Sequence, residues 1–184
     1  MSVVGFIKKA IKEPLRVGAP APTSPRTARF MVQVSGAGRG DRVLDAGTGN
    51  GVVAIEAAKM GCEVVAIDVD PEMLRLARKR AEEEGVEDSI EFLRADATRL
   101  HEVFDADEFD AVLSTVPVTT VEDPVGLLRS YWRVLKPSGT LVQLTHWPRF
   151  FRRIVDKSPF TIAERYFRWV HVVPGYVFVC EPEG

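Results

Sequence analysis

The chain has 184 residues, 46% hydrophobic and 27% charged, with 14 glycines, 12 prolines and a formal net charge of −2. One domain of that size buries roughly 70% of its unfolded surface, and the composition excludes collagen-like, coiled-coil and wholly disordered classes. No run of 18 apolar residues occurs, so no helix is expected to span a bilayer.

Cys62 and Cys180 lack metal-ligand spacing. No metal site or disulfide scaffold is expected, and a reducing, cytoplasmic setting fits. Charge is segregated along the chain. Residues 1–42 hold eight Lys/Arg against two acids, 43–142 hold ten against twenty, and 143–171 hold six against two. Two basic flanks around an acidic centre suit phosphates of lipid or nucleic acid, or else are solvated helix faces.

The first residues, MSVVGFIKKAIKE, interleave apolar side chains with lysines, unlike a secretory leader. Val3, Phe6, Ile7, Ala10 and Ile11 share one helical face, with Lys8, Lys9 and Lys12 around it. That pattern suits a helix in a membrane interface, or one docked on its own domain. Gly18 to Pro25 reads as a stiff connector, so 1–41 is expected to be an amphipathic helical arm ahead of a domain over 42–184.

Strand and helix patterns then alternate. Strands are predicted over 43–45, 63–67, 90–93, 109–113 and 140–144, and helices over 52–59, 71–84 and 125–135, the last stopping at Pro137-Ser138-Gly139. A hairpin is predicted over 170–179, turning at Pro174-Gly175. This order implies an α/β fold: a mostly parallel, Rossmann-like sheet with helices on both faces and an antiparallel C-terminal hairpin.

The most informative stretch is Asp45-Ala46-Gly47-Thr48-Gly49-Asn50-Gly51, between a strand and an apolar helix. Glycines there allow a sharp turn and close approach to a ligand. The dinucleotide fingerprint would need glycine where Val52 stands, and an anion at Asp45 would repel a pyrophosphate. A carboxylate there suits the ammonium of an amino-acid ligand. Asp68 closes the second strand and is placed to accept from both ribose hydroxyls. Asp96 closes the third and is placed for an adenine amine, with Val69 and Ala97 as apolar walls. Each acid alone reads equally as a helix cap, as Asp70 before Pro71 does. Three at successive strand ends converge on the crevice where open sheets bind ligands.

The run 43–51, Asp68 and Asp96-Ala97 resemble the motifs of class I S-adenosylmethionine-dependent methyltransferases, over roughly 42–145. The resemblance implies that Asp45 and Gly47 to Gly51 line the methionine part of S-adenosyl-L-methionine. It implies that Asp68 binds ribose and Asp96 the adenine amine, with Ser114 also at the cofactor. Residues 6–31, with Pro14-Leu-Arg-Val-Gly-Ala-Pro-Ala-Pro-Thr-Ser24, resemble the lead-in of bacterial-type phospholipid N-methyltransferases. So do Leu141 to Thr145 and Trp169 to Phe178. Thr115 and His146-Trp147 depart from that pattern.

The resemblance implies a phosphatidylethanolamine-like amine entering beside Ser114, Thr115 and Pro117, at the inner face of a membrane. Such an amine is protonated at neutral pH, and His146 is the candidate base; a histidine hydrogen-bonded at a strand end is the alternative. An RNA base or small metabolite is the rival acceptor, although no Asn/Asp-Pro-Pro-Tyr/Phe motif occurs at Ser114-Thr-Val-Pro117. A non-catalytic cofactor-binding subunit is a third reading.

Overall fold

The computed structural model describes residues 23–170 and 173–183. The interfacial helix expected over 1–12 and the connector before Thr23 lie outside them.

Helix α1 (Pro25–Val34) starts where Ser24 caps it, its hydroxyl accepting from the Thr27 amide at 3.2 Å with Pro25 in the first turn. It buries Ala28, Met31 and Val32 completely against α2 (Val52–Lys59). This helix is therefore part of the domain core, and the arm expected over 1–41 overlaps the domain.

Strand β1 (Arg42–Ala46) pairs in parallel with β2 (Glu63–Asp68) and β4 (Phe109–Ser114). β2 pairs in parallel with β3 (Ile90–Arg94), and β4 with β5 (Leu135–Thr145). β7 (Val173–Pro182) runs antiparallel to β5 and to the edge strand β6 (Phe160–Val170). The seven-stranded order is β3-β2-β1-β4-β5-β7-β6. It reverses direction between β1 and β4, the switch point where open sheets bind ligands.

Each sheet face has its own core. On one, α1, α2 and Ala81 of α3 (Pro71–Glu83) cover Val43, Val64, Leu113 and Val142. On the other, a short turn at Ala97–Glu102, α4 (Pro124–Val134) and α5 (Pro148–Val155) cover Leu44, Ile67, Val112 and Phe178. Strands covered on both faces read as continuous apolar runs, which is why β1, β2 and β4 show in the sequence.

The structure departs from the sequence reading on the C-terminal side. β5 begins at Leu135, not 140: Leu135 pairs with Phe109 and the register shifts before Ala111–Thr140, so Pro137-Ser138-Gly139 is an irregularity within the strand. The expected hairpin turn at Pro174-Gly175 is displaced. Both residues are paired inside β7, opposite Trp169 and Arg168. α5 has no counterpart in the sequence reading, although Pro148 and the spacing of Phe151, Ile154 and Val155 signal it.

Candidate cofactor and acceptor site

Asp45 ends β1 with its side chain fully buried. One carboxylate oxygen, Oδ2, accepts from the Thr48 hydroxyl at 2.6 Å and the Ala54 amide at 3.0 Å. The other, Oδ1, is buried without a partner. Burial penalises the anion and pushes its pKa up to about 7, the Thr48 and Ala54 bonds opposing and nearby Asp68 adding to the rise. A buried carboxyl oxygen left without a donor at a strand end is one that a cationic donor would complete.

The loop between β1 and α2 is fixed by backbone. The Gly47 and Thr48 amides donate to the Ile67 carbonyl at 3.0 and 2.9 Å, and the Gly49 amide donates to Asp68 Oδ2 at 2.9 Å. Gly49 (φ +53°) and Gly51 (φ +82°) both occupy the left-handed region. They differ in what a side chain would meet. A Cβ at Gly51 would lie 2.8 Å from Ala77 Cβ, whereas at Gly49 the nearest atom is the Gly47 carbonyl oxygen at 3.9 Å. Gly51 is required by helix packing; Gly49 opens outward, where a ligand would approach. The Thr48 hydroxyl turns inward to Asp45, and the Asn50 carbonyl accepts from Arg80 Nη1 at 3.2 Å, so these two support the loop.

Asp68 ends β2 half-buried, Oδ1 accepting from the Asp70 amide and Oδ2 from Gly49, both at 2.9 Å. It ties the loop to the next strand and keeps lone pairs for hydroxyl donors. Exposed Asp96 caps the turn after β3, its Oδ1 accepting from the Thr98 amide at 2.9 Å and hydroxyl at 2.8 Å. Asp45, Asp68 and Asp96 thus stand at the ends of adjacent strands, each two residues further along than the one before (Asp45 opposite Ala66, Asp68 opposite Arg94), so that they run diagonally along the carboxyl edge of the sheet. Val69 is exposed, as a ring-contacting wall requires; Ala46 and Ala97 are buried in the core beneath.

Across the switch point the predicted residues divide. Ser114 is fully buried and its hydroxyl is 3.0 Å from that of Tyr131, so it fastens α4 to β4 and does not face the cleft. The Thr115 hydroxyl donates to the Gly47 carbonyl at 2.8 Å and its amide to the Ala46 carbonyl at 3.1 Å, stapling the turn after β4 to the glycine loop. The Pro117 carbonyl accepts from Thr120. Gln143, missed in the sequence, is fully buried and donates through Nε2 to the Val116 and Leu144 carbonyls at 3.1 and 2.8 Å. Only its pairing partners identify it, and those are not visible in a linear chain.

His146 follows β5. Its Nδ1 lies 2.7 Å from the Pro174 carbonyl, which can only accept, so Nδ1 carries the proton and the neutral ring keeps its lone pair on Nε2. A groove of about 540 Å³ lies on the α5 side, lined by Trp147, Pro148, Arg149, Phe150, Arg153 and Tyr176, whereas the His146 ring lies over Gly175 on the opposite face of β7. Among the described residues no group of three or more His, Cys, Asp or Glu is placed to hold a metal.

Residues 44–143, which carry the glycine loop and all three acids, match the family described as methyltransferase domain. The chain belongs to that family. Over 149 residues it is 34% identical to the ubiquinone/menaquinone biosynthesis C-methyltransferase UbiE of Pectobacterium atrosepticum, covering 79% of this chain and 56% of that one. The chain spans about half the length of the curated relatives it matches. Among solved structures, TrmN from Thermus thermophilus gives a TM-score of 0.76 at 31% identity, over 92% of this chain and 52% of that one. The [4+2]-cyclase SpnF also gives 0.76, at 17% identity over 98% and 96% of the two chains. That likeness is one of fold alone, because chemistry on a shared scaffold is set by the site.

The methyltransferase domain is of class I, with S-adenosyl-L-methionine as its cofactor. The residues fit that group. Orphaned Asp45 Oδ1 suits its ammonium, the outward-opening Gly49 leaves room for backbone contact, and Asp68 and Asp96 suit its ribose and adenine amine. When bound, the cofactor supplies an electrophilic methyl group on a sulfonium.

Proposed function

We propose that this methyltransferase domain methylates the amine of a phosphatidylethanolamine-like phospholipid headgroup. The observation that carries the reading is the groove on the α5 side, near the carboxyl end of β5. Trp147, Phe150 and Tyr176 give it an apolar lining, and Arg149 and Arg153 give it two cations. An acceptor with a hydrocarbon chain and a phosphate matches both.

Displacement at a sulfonium methyl asks the protein chiefly for alignment and a free lone pair on the acceptor. His146, its Nδ1 proton held by the Pro174 carbonyl, takes the proton from the acceptor ammonium on Nε2. Thr115 and Pro117 form the floor of the acceptor side, held against the glycine loop by the Thr115 staple. The mono- and dimethylated amines each regain a lone pair on losing a proton, so the same site serves successive transfers until the quaternary ammonium, which has none, is formed.

A second reading draws on the relative named as a ubiquinone/menaquinone biosynthesis C-methyltransferase, since a ring carbon of an apolar quinone precursor would also suit an apolar groove. Radiolabelled methyl transfer from S-adenosyl-L-methionine to mixed vesicles separates them. Label in N-methylated phosphatidylethanolamine supports the first reading. Label in a quinol or in added RNA, with the phospholipid unlabelled, removes it.

A further inference from the structure

Five large aromatic side chains crowd the carboxyl corner of the sheet on the α5 side. Trp147 and Trp169 are 61% and 62% exposed, Phe167 49% and Phe150 40%, and Tyr176 lines the groove between them. Three of them touch: Phe167 lies edge-on to both Trp169 and Tyr176, with ring centroids 5.8 and 5.5 Å apart, while Trp147 and Phe150 line the groove with Tyr176. Their positions follow from topology. Phe167 and Trp169 alternate along the end of β6, Tyr176 opposes Phe167 on β7, and Trp147 and Phe150 begin α5.

Exposed aromatic area of this kind is costly in water, and a contiguous patch marks a contact surface. The cations around it narrow the partner. Arg149, Arg152, Arg153 and Arg165 are exposed on the same side, and among the described residues none forms an ion pair. Some basic side chains elsewhere are paired within the chain, as with Arg42–Glu108, Lys59–Glu84 and Arg78–Glu87. Cations left unpaired beside tryptophans match an interface that is anionic at its surface and apolar a few ångströms below. A single-stranded nucleic acid would also accept cations and stacking rings. Phe167, Trp169 and Tyr176, however, pack edge to face with each other, Tyr176 also lining the groove, and do not stand apart as separate platforms for bases.

We infer that this corner, formed by Trp147, Phe150, Phe167 and Trp169 with their flanking arginines, docks the domain on an anionic bilayer, the groove opening toward the lipid. The inference extends the acceptor reading above, since docking would deliver a headgroup amine to the His146 end of β5. No described helix is long and apolar enough to cross a membrane; the contact inferred here is an interfacial one.

The chain's three tryptophans make the test direct. Trp147 and Trp169 belong to the patch, whereas Trp132 sits near the carboxyl end of α4, at the opposite end of the sheet. Full-length protein with single tryptophans (Trp132 alone, Trp147 alone, Trp169 alone, the others changed to Phe) is mixed with vesicles of brominated phosphatidylcholine, with or without phosphatidylglycerol. Quenching of Trp147 and Trp169 but not Trp132, only with the anionic lipid, is expected. The double variant Trp147→Ala/Trp169→Ala should lower vesicle partition by about tenfold or more. Unquenched Trp147 and Trp169, unchanged partition of the double variant, or protection of both tryptophans by single-stranded RNA or by self-association in place of vesicles overturns the proposal. Quenching without any methylated phospholipid would keep the docking surface and remove the acceptor assignment. Methylated phospholipid in detergent micelles without quenching would do the opposite.

Discussion

The two halves of the sheet are built on different terms. On the β1–β2–β3 side, every predicted ligand-facing group is tied to backbone: Asp45 to Ala54, Asp68 to Gly49 and Asp70, Asp96 to Thr98. On the β5–β7–β6 side, the groove is formed by exposed side chains of one short helix and an edge hairpin. A cofactor that never changes can be held by fixed dipoles and a preorganised loop. Acceptor recognition needs only a surface of suitable chemistry, and such surfaces vary freely on a common scaffold.

This contrast predicts separable defects. The largest effect is expected on the acceptor side: His146→Ala should lower kcat by about a hundredfold or more while leaving cofactor affinity within a factor of two or so, and raising the pH should partly restore it. Equal losses in rate and cofactor binding would break the division. Next, Gly51→Val places a side chain at φ +82° and within 2.8 Å of Ala77. It should cost about 2–4 kcal/mol of folding stability, read as a lower denaturation midpoint. Gly49→Ala meets no neighbour closer than 3.9 Å. It should cost about 1 kcal/mol of stability yet weaken cofactor binding by about tenfold, because the added methyl group lies where the ligand approaches.

A smaller effect concerns pH. The Asp45 carboxyl is raised by burial to about 7. A raised acid favours the folded state in its neutral form, so this group's contribution to stability is full below about pH 4 and is lost as pH rises through about 7. Cofactor binding favours the anion instead. Near pH 6 binding should therefore release a proton, seen as a buffer-dependent enthalpy in calorimetry, and Asp45→Asn should abolish the dependence. An enthalpy independent of buffer would show that no cation reaches Oδ1.

The same contrast explains what was legible in the sequence. Buried parallel strands and their glycine loop leave apolar runs with acids at their ends, so β1 to β4, α2, α3 and the three carboxylates were readable. The edge strand β6 was not. Thr161, Glu164, Arg165 and Arg168 interrupt its alternation, and the register shifts between Ile162 and Glu164. Pro137-Ser138-Gly139 carries turn residues yet continues β5 through an irregularity, where tertiary pairing overrides local preference. Ser114 was assigned correctly to the strand end but not to its face, because its partner Tyr131 is brought near only by α4.

The central claim is that carboxylates at adjacent strand ends hold the cofactor, and Asp68 is its most exposed point. Calorimetric titration of S-adenosylhomocysteine into the parent and Asp68→Ala proteins tests it directly. Loss of the Gly49 anchor and of two ribose hydrogen bonds predicts an affinity weaker by about 2–3 kcal/mol, that is by about 30- to 150-fold, with the fold intact by circular dichroism. Equal affinity in a folded variant would contradict the account.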